Sequence, residues 1–573
     1  MTPVAFNGCF GWLHEPLGGT GCDVVVVIGT AFSTDAAIAH ASLALLADRL
    51  AAAGYPALRF DYPGTGDSLD GDFACGEGHW AAWKRSVHDA ADWLRAATGA
   101  RRVVLCGLRV GAALATLAGI ERDDVAGLVL FEPMVVGKSY VRQLGLEAEL
   151  LTGHSPDRAG GFEHHGLQFT ACALDQMAAV DLRQLAIPPG MPVALFARAT
   201  ARQAGECAKA WSETGAAVAC PDWQGLETLV RDNLIDETKL ADFDRVLAWL
   251  QQAIPVGVHA APVKPVESLR AVRLAGCIES PLHFGPDQRL FGVLCEPENG
   301  AAQEVVLIPN TGREPHHGPA RQAVTFARRL AAEGVASLRL DFAGLGDSAS
   351  PPGKEGMRSH VFHVDRTADV RAAIDRLEAL GYRRFAMQGL CSGAYHAFHG
   401  ALADERISTL MLVNIPLFKL PGGDVKGYLD QRWLPPLHYV RRLMSADRWR
   451  AVLHGEVDLV RAARGQFVHV PAHAIDRATS VVRRIGVVGE PSFARRSMAT
   501  LSRRGVRTLF LFSPGDGDRD IFAREFGRDG EGLEAFPGAA MEVVPELDHG
   551  MMKAIQRHRA EISMIDFLKV GRC

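Results

Sequence analysis

Three positions in the second half of the chain carry residue types that could act together as nucleophile, base and acid. The nucleophile is Cys391, central in Gly389-Leu390-Cys391-Ser392-Gly393. Arg384 to Gln388 before it reads as a short buried strand, and Ala394 to His399 after it as the start of a helix. A Gly-x-nucleophile-x-Gly pentapeptide between strand and helix is a nucleophile elbow, a turn so sharp that only small residues fit two places either side of the nucleophile. That geometry turns Cys391 outward and leaves Ser392 to offer its backbone N–H to an oxyanion. A thiol nucleophile needs a base to take its proton and an acid to orient that base. The base is His549, in Glu546-Leu547-Asp548-His549-Gly550-Met551 after a strand around Met541 to Val544. The acid belongs to the turn Ser513-Pro514-Gly515-Asp516-Gly517-Asp518 after the strand Thr508 to Phe512: Asp516, with Asp518 as the alternative. A second oxyanion donor is expected in the loop after Val305 to Ile308, at Thr311 or Gly312.

The elements that must carry these residues are written twice. Phe10-Gly11-Trp12-Leu13-His14-Glu15-Pro16 recurs as Phe291-Gly292-Val293-Leu294-Cys295-Glu296-Pro297. The run from Leu58 through Asp61, Gly64, Gly66, Asp67 and Ser68 recurs from Leu338 through Asp341, Gly344, Gly346, Asp347 and Ser348. Gly107-Leu108-Arg109-Val110-Gly111 answers the Cys391 pentapeptide, and Leu130-Phe131-Glu132-Pro133 answers Val413-Asn414-Ile415-Pro416. Four matches at one offset of about 280 residues mean a tandem duplication. Each copy alternates β-branched runs, such as Val24 to Ile28, with amphipathic helices, such as Ala39 to Ala53, which predicts a mostly parallel sheet with helices on both faces.

With the elbow and the chain order nucleophile, acid, histidine, the expected fold is α/β: two tandem α/β-hydrolase domains. The boundaries are 1–253, a Pro/Val/Ala-rich linker at 254–273, and 274–573. Residues 417–505 do not fit the sheet plan and are expected to form a helical cap, with Tyr428, Trp433, Tyr439 and Trp449 available to line a substrate pocket.

The first copy lacks the chemistry. Arg109 occupies the nucleophile position, Ala197-Arg198-Ala199-Thr200 offers no carboxylate, and Gly225 to Leu229 no histidine. This half reads as a catalytically dead copy that packs, shapes an entrance or docks a partner, with Arg109 a possible anion contact.

Composition excludes several classes. A net charge of −5 gives no bulk attraction to nucleic acid or to an anionic membrane. The eleven cysteines show neither C-x-x-C nor Cys/His ligand spacing, so they read as reduced thiols rather than a disulfide frame or zinc site. His316, His317 and His360 read as solvated loop histidines; no metal and no cofactor is expected. The start lacks a basic segment followed by an apolar one, no apolar run reaches membrane length, and a cytoplasmic protein is expected. Between Gln431 and Phe510 stand fifteen Arg, no Lys and five acidic residues, a net of +10 (15 − 5). Arginine forks suit phosphate and carboxylate, which suggests a CoA or phosphopantetheine-carrier thioester as partner. Oligomeric state is left open.

Gly389 to Tyr395, the run Arg448-Trp449-Arg450 to Asp458, and Phe512-Ser513-Pro514-Gly515-Asp516 resemble bacterial α/β-hydrolase-like proteins associated with exosortase, exopolysaccharide or natural-product systems. Gly64 to Ser68 and Glu132 to Gly137 look like a sister branch. The resemblance implies the fold, a cysteine at the elbow, acyl chemistry without a named substrate, and Asp516 rather than Asp518; Arg109 departs from it. The expected reaction is acyl transfer through a Cys391 thioester to an amine, alcohol or water. Its rivals are a simple esterase or thioesterase and a non-catalytic scaffold or carrier-docking protein.

Overall fold

The computed structural model describes residues 1–16, 21–71, 78–152, 161–223, 225, 229, 237–259, 266–300, 303–352, 365–420 and 491–570. Among these, the first copy forms an eight-stranded sheet in the order Thr2–Phe6, Cys9–His14, Ala57–Phe60, Val24–Gly29, Arg102–Leu108, Val125–Phe131, Pro192–Phe196, Ala217–Ala219. The first two pairings are antiparallel and the rest parallel. Val24–Gly29 shows why the sheet needs cover on both faces. Val25 and Val27 enter one hydrophobic cluster, while Val24, Val26 and Ile28 enter another. Helices Gly78–Thr98 and Val110–Gly119 pack against the first cluster and Ser33–Ala52 against the second.

The chain divides into two compact units that do not follow the two copies. One comprises Met1–Gln303, Arg313–Ser359 and Met551–Ala554; the other Glu304–Gly312, His360–Gly550 and Ile555–Cys573. In the first unit, besides the eight-stranded sheet, Val272–Leu274, Cys277–Phe284, Leu290–Pro297 and Ala336–Asp341 pair antiparallel in that order. In the second, Glu304–Pro309, Arg384–Leu390, Ile407–Val413, Arg507–Phe512 and Ala539–Val543 pair parallel in that order. The joining segment is pinned: Val258–His259 pairs with Gly21–Cys22, and the Leu269 N–H donates to Pro3 O at 2.8 Å. Of the expected cap, residues 421–490 lie outside the described residues. Its end forms a helix, Phe493–Arg503, whose Phe493 ring stacks on His399 at 5.8 Å. No described helix is long and apolar enough to cross a membrane, and no described cysteine is in a disulfide.

The duplication holds down to single hydrogen bonds. Asp61 accepts the Asp67 N–H at 3.0 Å, as Asp341 accepts the Asp347 N–H at 2.9 Å. Ser68 and Ser348 donate to the Asp61 and Asp341 carbonyls, each at 2.6 Å. Within the first unit the two copies then exchange partners. Arg339 reaches Asp67 at 2.9 Å, and Arg59 reaches Asp347 at 3.2 Å. His316 lies between Asp67 (Nε2, 2.6 Å) and Asp341 (Nδ1, 2.7 Å). This corrects the solvated-loop reading for His316, which is 1% exposed. His317 also meets Asp67, at 3.3 Å, and His360 lies outside the described residues. Burial by itself would push His316 towards neutrality, but the two carboxylates outweigh it and hold its pKa well above the usual value. Burial likewise opposes the charge on Asp67, and His316, His317 and Arg339 overcome it, holding that carboxyl well below its usual range.

The linkage has a definite sign. The part carried by His316 is complete below about pH 6.5, its unfolded value, and is lost as pH rises through the elevated folded value. The part carried by Asp67 is present above about pH 3.9 and is lost as pH falls through the depressed folded value. Asp67→Ala takes from buried Arg339 and His316 one of the two carboxylates each meets, leaving Glu279 at 2.8 Å and Asp341 at 2.7 Å, and a loss of about 1–3 kcal/mol is expected by urea denaturation near neutral pH; a loss below about 1 kcal/mol, the range of an exposed pair, would contradict the network.

Candidate active site

The strand Arg384–Leu390 runs straight into the helix Ser392–Ala403, and the turn between them has no spare room. A Cβ on Gly389 would stand 2.3 Å from the Gly393 carbonyl, and one on Gly393 would stand 2.9 Å from Asn310 O. Between these glycines Cys391 takes φ 53° and ψ −118°, a conformation that L side chains rarely adopt. Its N–H donates to Val413 O at 2.9 Å, which ties the elbow to the neighbouring strand. The thiol is half-buried. Ser392 is not presented in the same way. Its side chain is buried, and its Oγ accepts the Gly312 N–H at 2.7 Å.

His549 stands on the loop after Ala539–Val543. Its Nδ1 is 2.5 Å from Asp516 Oδ2 and 3.8 Å from Asp518 Oδ2. Asp516 is fixed at its other oxygen, where Oδ1 accepts the Asp518 N–H at 3.0 Å as the helix Asp518–Phe526 begins. Asp516 therefore orients the imidazole, and Asp518 supplies a backbone donor. Burial disfavours a charged His549, but hydrogen bonds to Asp516 and Cys391, together with their negative charge, raise its pKa to about 11. Thiol, imidazole and carboxylate thus form one chain, with the imidazole between the Cys391 sulfur and the Asp516 carboxylate.

The structure brings Ser392, Thr311 and Gly312 to the same turn but gives them different work. The Gly312 N–H is committed to Ser392 Oγ, and Thr311 donates its hydroxyl to Leu390 O at 3.3 Å. Trp433, Tyr439 and Trp449, with Tyr428, lie outside the described residues. A cavity of about 140 Å³ in the first unit is lined by Phe10, Trp12, Phe32, His40 and Asp61 among others, and contains no residue of the Cys391 site. Asn414, visible in sequence only as part of a repeated motif, is fully buried beside both the acid turn and the histidine loop.

The first copy keeps the elbow with Arg109 in the central place. Arg109 has φ 55° and ψ −110°, and a Cβ on Gly107 would stand 2.3 Å from Gly111 O. Arg109 pairs with Asp35 at 3.2 Å and lies over the Tyr140 ring at 5.7 Å. Within the protein its charge is met by Asp35.

Residues 39–171 match the family model described as serine aminopeptidase, S33. The match covers the first elbow rather than the second. In structure the chain is similar to Est1E from Butyrivibrio proteoclasticus with ferulic acid bound, at 14% identity over 44% of this chain and 99% of that one, TM-score 0.36. It is also similar to mouse alpha/beta hydrolase domain-containing protein 10 (14%, 44% and 97%, 0.31) and to an esterase from Pyrococcus furiosus (13%, 53% and 98%, 0.31). No curated protein matches. Strand order, helices on both faces and the strained elbow make this the α/β-hydrolase fold, present twice in one chain.

Proposed function

We propose that the second copy is a cysteine acyl-enzyme that moves an acyl group from an activated ester or thioester to an amine, an alcohol or water. The observation that carries this reading is the chain of contacts from Cys391 through His549 to Asp516 at a strained elbow. The Cys391 thiolate attacks the carbonyl carbon, and the Ser392 and Thr311 N–H groups stabilise the oxyanion. The C–O or C–S bond to the leaving group breaks as the His549 imidazolium donates its proton to that group, leaving a thioester on Cys391. Neutral His549 then takes a proton from the acceptor, which attacks the thioester; the thiolate departs and the imidazolium is restored.

A thioester is attacked by amines and thiols, relative to water, more readily than an oxygen ester, which favours transfer over hydrolysis. The arginine-rich sequence from 431 to 510 supports a CoA or phosphopantetheine thioester as donor. Ser392 is a poor alternative nucleophile, since its hydroxyl is buried against the Gly312 N–H. The first copy, with Arg109 at its elbow, is read as non-catalytic.

Incubation with 4-nitrophenyl esters and short acyl-CoAs, followed by intact-mass measurement, should reveal one acyl adduct on Cys391 that is absent in Cys391→Ala; no adduct with any donor would leave the scaffold reading. Steady-state kinetics should separate the carboxylates. Asp516→Asn is expected to lower kcat by up to about 10⁴, the range for a triad acid, and Asp518→Asn far less; equal losses would overturn the assignment. Because His549 must be protonated to release the leaving group, kcat/KM, which reports the free enzyme, should hold through neutral pH and fall as pH rises through about 11. An alkaline fall near the ordinary imidazole value of about 6.5 would contradict the ion pair.

A further inference from the structure

We infer that Asn414 is a positioning residue: its amide clamps the acid turn to the histidine loop and so sets the Asp516–His549 contact. This rests on the catalytic reading of Cys391, His549 and Asp516.

Asn414 ends the strand Ile407–Val413 at φ 47°, a left-handed conformation that Asn tolerates better than most residues. Its backbone N–H continues the ladder to Leu511 O at 2.9 Å. The backbone bend turns the side chain towards two loops far apart in sequence. Oδ1 accepts the Ser513 N–H at 2.9 Å, while Nδ2 donates to Ser513 Oγ at 2.9 Å and to the His549 carbonyl at 3.0 Å. The side chain is 0% exposed, so water does not compete for these bonds. Ser513 stands three residues before Asp516. One amide therefore holds the backbone on both sides of the carboxylate–imidazole contact, at distances where single protein atoms must be fixed to a few tenths of an ångström for that contact to persist.

The first copy shows which part of this clamp belongs to the chemistry. Glu132 occupies the same place, with φ 42° and its N–H on Phe196 O at 2.8 Å. It also fastens the following turn, where Oε1 accepts the Arg198 N–H at 3.2 Å. An ionised carboxylate can accept from that turn but cannot donate to a carbonyl. The copy without a histidine thus carries an acceptor-only side chain, and the copy with one carries an amide that accepts from one loop and donates to the other. The shared backbone bend is a property of the fold; the second bond is specific to the half with His549.

Two variants test this. Asn414→Gly keeps a backbone suited to positive φ and removes all three side-chain bonds; Asn414→Asp keeps the acceptor for Ser513 and loses the donor to His549. Both should fold, checked by near-ultraviolet circular dichroism. In both, kcat for Cys391-dependent ester turnover should drop about tenfold or more with KM little changed. In Asn414→Gly the alkaline limb of kcat/KM should also move down from about 11 towards the ordinary imidazole value, because the His549–Asp516 contact slackens. Hydrogen exchange should quicken in the peptides carrying Ser513 and His549 together. Folded variants with the wild-type kcat and alkaline limb would overturn the clamp. If the wild-type protein shows no Cys391-dependent turnover, the catalytic reading fails separately, and the exchange measurement decides: faster exchange of both peptides upholds the clamp, and unchanged exchange of either rejects it.

Discussion

The constraint on which the site depends is steric. A Cβ on Gly389 would run into the Gly393 carbonyl and one on Gly393 into Asn310 O, and the residue between them takes a strained conformation with its side chain outward. Strand and helix leave no alternative path for the backbone, since the helix must start immediately to cover the sheet. Presentation of Cys391 is therefore a consequence of sheet–helix packing. The same turn in the first copy presents Arg109 instead, with nearly the same dihedrals. The fold supplies the pedestal in both halves, and only side-chain identity decides whether it carries a nucleophile.

Buried charge ties the two copies together. Within the first unit, Arg339 and His316 of the second copy are fully buried and meet Asp67 of the first, while Arg59 of the first meets Asp347 of the second. Buried charges of this kind contribute little net stability when paired but are costly when a partner is removed. Edge-to-face packing of Trp12 on Phe291, with ring centroids 4.6 Å apart, adds an apolar seam beside them. The first copy thus adds Asp67 to the carboxylates, Glu279 and Asp341, that the second copy itself sets against Arg339 and His316.

Much of this was legible in sequence, for physical reasons. The period of a parallel sheet, the glycines of a tight turn and a repeat offset are local signals, so the strand positions, the elbow and the loops that carry Asp516 and His549 could be read directly. What escaped depends on distant partners. His316 reads as a loop histidine because its burial comes from Asp67, 249 positions away. Asn414 reads as a strand end because its partners Ser513 and His549 lie 99 and 135 positions on. Asp516 and Asp518 are equal in spacing, and only the path of the turn points one at the imidazole and the other's N–H at its neighbour.

The proposed reaction requires His549 and Cys391 to act together. The most direct measurement is the rate of Cys391 alkylation by iodoacetamide, read by peptide mass at mildly acidic pH in the wild-type protein and in His549→Gln. The expected result is a wild-type rate above that of an ordinary cysteine peptide, falling by roughly tenfold or more without the imidazole. Equal rates in the two proteins would mean that the thiol and the imidazole do not act together.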